Sequence, residues 1–131
     1  MTRNILIFSA AVLILFSISI LAKQLVQSID VNQAKAMIDQ NTPNLVILDI
    51  RTPEEFNREH IKGAINIDYY ANNFETELNK LDKSKTYIMY CRSGNRSRNA
   101  MRTFQKLGFQ KVYNVLGGIS SWTSKGYKVV K

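Results

Sequence analysis

After Lys23 the sequence alternates short apolar runs with amphipathic stretches, and this alternation limits what the chain can fold into more than any other feature. Residues 44–50 (NLVILDI), 64–67 (AINI), 86–90 (TYIMY) and 111–116 (KVYNVL) have strand length. The longer runs are continuously apolar, as strands buried on both faces are. Residues 28–30 read as a further short strand. Between these runs lie helical stretches at 32–40, from Pro53 with Glu54 and Glu55 in its first turn, at 74–81, at 97–107 before Gly108, and after Gly117-Gly118 around Trp122. The order predicts an α/β fold, a parallel sheet with helices on both faces, whose ligands bind at the carboxyl ends of the strands.

With 131 residues there is room for one domain. A composition of 45% hydrophobic residues with 6 Gly and 2 Pro excludes collagen-like, low-complexity and disordered chains. One Cys and one His exclude an internal disulfide and a closed zinc site of Cys and His ligands. The 18 Lys and Arg against 10 Asp and Glu give a net charge of +8. Such an excess favours anionic small molecules, acidic partners or membrane headgroups. The basic residues are scattered without an interleaved aromatic block, so no nucleic acid is expected as a partner.

Residues 5–22 (ILIFSAAVLILFSISILA) stand apart, carrying no charge, Gly or Pro. As a helix these residues would span about 27 Å, close to a bilayer core. A soluble core helix of this length would show a polar face. Arg3 precedes the segment as in a signal sequence, while Ile20 occupies a position where cleavage wants a small residue. Residues 1–22 therefore read as an apolar helix serving as signal peptide or N-terminal membrane anchor. Residues 23–131 form an exported, periplasmic or extracytoplasmic domain, expected to be a monomer.

Chemistry is expected at Cys91, which follows a buried strand and precedes a helix. The loop Arg92-Ser93-Gly94-Asn95-Arg96 would turn its N–H groups toward the sulfur, with Gly94 permitting the tight curl. That field, with Arg92, Arg96 and Arg98 nearby, favours thiolate and activates a cysteine nucleophile.

The residues 48–67 (LDIRTPEEFNREHIKGAINI), 91–97 (CRSGNRS) and 116–130 (LGGISSWTSKGYKVV) resemble three separated motifs of the single-domain rhodaneses, a likeness that covers roughly residues 28–131. The resemblance implies a five-stranded parallel sheet wrapped by helices. It also implies a sulfurtransferase in which Cys91 takes a sulfane sulfur from an anionic donor such as thiosulfate, becomes a persulfide, and passes the sulfur to a thiophilic small-molecule or protein acceptor. No metal or organic cofactor is implied. The family pattern places Asp49 and Arg51 where they orient the active-site region or bind substrate charge. For Asp49, hydrogen bonding to nearby backbone is the equal alternative.

Asn95 and Ser97 are expected to hydrogen-bond the persulfide, and Ser97 is also placed to cap the following helix. His60 is expected to cap a turn, and Trp122 and Tyr127 to pack the last helix on the sheet. A low-turnover persulfide carrier is an alternative of a different class. Cysteine phosphatases and arsenate reductases place an Arg six positions after the Cys, where this chain has Ser97. Arg96 comes one position earlier, leaving a smaller cradle.

Overall fold

Five strands form one all-parallel sheet: β1 (Leu25–Ile29), β2 (Leu45–Asp49), β3 (Ile65–Asn66), β4 (Thr86–Tyr90) and β5 (Lys111–Val115), in the order β1-β5-β4-β2-β3. The computed structural model describes residues 23–131. The apolar helix expected over residues 1–22 lies outside the described residues. Among the described residues, no helix is long and apolar enough to cross a membrane. The helices are α1 (Val31–Asp39), α2 (Pro53–Arg58), α3 (Phe74–Asn79), α4 (Asn95–Lys106) and α5 (Gly118–Ser124).

The continuous apolar runs arise because both sheet faces are covered. On one face Leu48, Tyr87, Met89 and Val112 lie under Phe74 and Leu78 of α3 and Ala100 and Phe104 of α4. On the other, Ile29, Ile47, Ile88 and Val115 lie under Ala34 of α1 and Ile119 and Trp122 of α5. Each such fully buried apolar side chain contributes about 1.5–3 kcal/mol relative to exposure.

Local chemistry sets the boundaries. The first strand ends at Ile29, so Asp30, expected within it, is instead the N-cap of α1. Its Oδ1 accepts from Gln33 N at 2.8 Å while Gln33 Oε1 accepts from Asp30 N at 2.9 Å, a reciprocal capping box. Thr52 and Glu55 form the same device before Pro53, starting α2. Asp49 and Tyr90 are register partners, so the carboxyl ends of β2 and β4 lie side by side.

Candidate active site

The segment from Cys91 to the first turn of α4 is short. Only Arg92, Ser93 and Gly94 separate Cys91 from Asn95, where the helix begins. Gly94 is the N-cap at φ 103°, a left-handed conformation that glycine adopts without strain. Ser97, expected as a possible cap, lies one turn inside the helix and is fully buried. The expected loop of 92–96 is correspondingly shorter, because Asn95 and Arg96 are already helical.

The tight turn directs unpaired helix-start donors at the sulfur. Gly94 N–H donates to Cys91 Sγ at 3.1 Å, and Ser97 Oγ lies 3.4 Å from Sγ and 3.3 Å from Gly94 O. The single hydroxyl proton of Ser97 can serve either acceptor, and a thiolate competes for it strongly. Burial of Cys91 by itself pushes the thiol up. The Ser97 hydroxyl and the backbone N–H groups of Ser97, Gly94 and Ser93 outweigh that and hold it below the ordinary thiol range. Removing the hydroxyl in Ser97→Ala is therefore expected to move the inflection of Cys91 alkylation to higher pH. An unchanged profile would show that the backbone donors alone set the ionisation.

The loop is held from behind by α5. Ile119 N donates to Cys91 O and Ser120 N to Arg92 O, each at 3.0 Å, so the opening N–H groups of this helix are satisfied by the loop's carbonyls. This approach requires glycine at 118. A Cβ there would lie 2.4 Å from Cys91 O and 2.7 Å from Arg92 O.

Arg96 does not turn its guanidinium to the sulfur. It forms a two-pronged ion pair with Glu55 of α2, at 2.7 and 2.9 Å, and stacks 5.3 Å from the Tyr70 ring. The hydrogen bond from Arg96 holds the Glu55 carboxyl at about 2 against the opposing effect of burial, with Thr52 assisting. Asp49 and Arg51 are likewise paired, buried on the side of the sheet facing Tyr90. Arg51 donates to Asp49 from its backbone N, Nε and a terminal nitrogen at 2.7–3.1 Å, and to the Glu59 carbonyl at 2.6 Å. Arg92, Ser93 and Asn95 are exposed, with Arg98 donating to Asn95 Oδ1 at 3.3 Å.

Comparison with known proteins fits this geometry. The rhodanese-like domain family matches residues 30–125. The chain belongs to this family. The Bacillus subtilis protein YrkF, provisionally named a sulfur carrier protein, is 36% identical over 100 residues, covering 76% of this chain and 52% of YrkF. The chain thus spans about half the length of that relative. The thiosulfate:glutathione sulfurtransferase of Saccharomyces cerevisiae is 29% identical over 112 residues, covering 77% of this chain and 81% of the yeast protein. A crystal structure of a rhodanese-related protein from Thermoplasma volcanium superposes with a TM-score of 0.70 at 32% identity, covering 79% of this chain and 97% of that one.

Beside its cysteine loop the rhodanese-like domain has a cavity of about 430 Å³, lined by Arg51, Glu55, Arg58, Glu59, Arg92, Ile119, Ser120 and Thr123. Arg92 follows Cys91 directly, and Ile119 bonds the Cys91 carbonyl, so the cavity adjoins the loop. Nothing in the local sequence NREH links Arg58 to a loop that begins 33 positions on. In the sequence Glu55 marks only an acid at the start of a helix. The pattern Thr52-x-x-Glu55 marks a capping box but does not show that the carboxylate also reaches Arg96.

His60 Nδ1 lies 2.9 Å from Phe56 O and its ring stacks on Phe56, fastening the end of α2. Trp122 is buried against the sheet with Nε1 donating to Lys128 O at 2.9 Å, and Tyr127 packs edge-on to it.

Proposed function

We propose that this protein is a sulfurtransferase that moves a sulfane sulfur from thiosulfate or a persulfide donor to a thiophilic acceptor through Cys91. The observation that carries the reading is a buried thiol held toward ionisation by the hydroxyl and backbone donors at the start of α4, within a family whose relatives are named for sulfur transfer. In the loading step the Cys91 thiolate attacks the outer sulfur of thiosulfate. The Sγ–S bond forms, and the donor's S–S bond breaks with its electron pair leaving on sulfite. The persulfide anion inherits the N–H groups that held the thiolate. In the second step an acceptor nucleophile attacks the terminal sulfur, breaking the Sγ–S bond and regenerating the thiolate. Arg92 and Arg58 are the groups proposed to meet the charge of donor or acceptor in the adjoining cavity. Asp49, Arg51 and Arg96 are proposed to position the site.

The carrier reading has a specific support in YrkF, whose provisional name is that of a sulfur carrier protein. It differs in turnover: a carrier loads once and unloads only to a partner. We further propose that residues 1–22 are retained as a membrane anchor and that the domain is exported. Intact mass spectrometry of the natively purified chain, before and after thiosulfate and then cyanide, tests these readings together. The expected result is the full-length N-terminus, one sulfur gained and one lost. A chain beginning near Lys23 would overturn retention, and no sulfur gain would overturn loading from thiosulfate.

The three-residue turn before α4 argues against phosphate chemistry, because Arg96 reaches Glu55 and is not poised over a tetrahedral oxyanion. Aryl phosphates are expected to remain unhydrolysed, and inserting one Gly between Asn95 and Arg96 should weaken sulfur transfer. Efficient phosphatase activity of the unaltered protein would overturn this reading of the cradle.

A further inference from the structure

The chain enters the domain at Lys23, two residues before β1. Gln24 Nε2 pins this entry by donating to Gln105 O at 3.1 Å and Phe109 O at 3.0 Å, at the end of α4 opposite Cys91. Because every strand is parallel, the segments leading into them gather at this one end. They bring together lysines that are scattered in sequence: Lys23 before β1, Lys80, Lys83 and Lys85 before β4, Lys106 in the last turn of α4, and Lys111 opening β5. Backbone bonds hold the group, with Leu25 N donating to Gln110 O at 2.7 Å and Gln110 N to Lys83 O at 3.0 Å.

The carboxylates at this end do not balance it. Glu77 pairs with Lys80, Glu75 with Lys106 and Asp39 with Lys35 of α1, while Asp82 accepts from Ser84 N–H at 2.9 Å and its hydroxyl at 2.6 Å and lies in the field of Lys85, which leaves the lysines in excess. Among the described residues, Lys23, Lys83, Lys85 and Lys111 have no ion-pair partner. Leu25, 37% exposed, adds an apolar side chain beside them. The arginines of the site, Arg51, Arg58, Arg92 and Arg96, lie at the other end of the sheet.

We propose that this lysine-bearing end rests on anionic lipid headgroups, with the Cys91 end facing away from the bilayer. The placement rests on the proposed retention of residues 1–22 as an anchor. Only Lys23 and Gln24 connect residue 22 to β1, three residue steps that span at most about 11 Å, so an anchored domain cannot lift this end far from the membrane. The lysines then meet the anionic headgroups of the leaflet on the domain's own side, whose field decays within about 8 Å at physiological salt. The five residues of β4 carry Cys91 about 17 Å from that end, beyond the field that would repel an anionic donor and oppose the thiolate.

The test uses the full-length chain in vesicles of phosphatidylcholine alone or with phosphatidylglycerol. It combines flotation at high salt with amine acylation mapped by mass spectrometry. Phosphatidylglycerol should slow the acylation of Lys23, Lys83, Lys85 and Lys111 several-fold, and high salt should restore it. Cys91 alkylation, which reads the opposite end of the sheet, should be unaffected. The double variant Lys85→Glu with Lys111→Glu should lose the lipid dependence while still floating. Equal acylation on both vesicles, or slowed Cys91 alkylation on phosphatidylglycerol instead, would overturn the orientation alone. A chain that does not float with either vesicle would overturn the anchor, and the placement with it.

Discussion

Replacing Cys91 with serine is expected to abolish sulfur loading and to cut thiocyanate formation from thiosulfate and cyanide by about 10⁴-fold or more, the scale of losing a covalent nucleophile. The loss should be chemical and not structural. Cys91 is 1% exposed and lies at the end of a core strand, where a serine hydroxyl is smaller than the thiol and can still accept the Gly94 N–H. The donors around it hold a thiol below its ordinary range, but an alkoxide lies far beyond their reach. The variant should therefore unfold at nearly the wild-type midpoint and show no sulfur gain by intact mass. Thiocyanate formation at the wild-type rate in the serine protein would remove Cys91 from the mechanism.

Much of this site could be read in advance because its central features are local. A buried strand, a Gly at the third position after the Cys and a following helix suffice to place N–H groups around a sulfur. What escaped was long-range pairing. CRSGNRS shows that Arg96 is near Cys91 but not that Glu55, 41 positions earlier, takes its guanidinium. Ser97 has a side chain that favours helix caps, yet Gly94 begins the helix because its positive φ lets the chain turn sooner. Asp30 shows the reverse, a residue placed within a strand whose side chain caps α1. The lysine-bearing end is illegible in sequence, since its members come from the lead into β1, the α3–β4 connection and the α4–β5 connection, and meet only because the strands are parallel.

The second large effect is expected at Asp49, and it links stability to the site. Asp49 is fully buried and Arg51 is 4% exposed, so removing the carboxylate in Asp49→Ala strands a buried guanidinium. Breaking a buried pair in this way costs about 3–5 kcal/mol, a large share of the 5–15 kcal/mol that holds a typical domain. Arg51 also donates to the Glu59 carbonyl at the end of α2, and α2 carries Glu55 to Arg96 at the start of α4. Loosening the clasp should therefore disturb the cysteine loop without touching it. Urea unfolding should show the stability loss, while the inflection of Cys91 alkylation in the surviving folded fraction should move to higher pH. Replacing both partners, Asp49→Leu with Arg51→Met, should recover most of the stability, because no charge is left buried. The alkylation profile should recover less, because the bond to Glu59 is gone. An Asp49→Ala protein within about 0.5 kcal/mol of wild type would instead mean that water reaches Arg51 and that α2 is held by its capping box and the Arg96 pair.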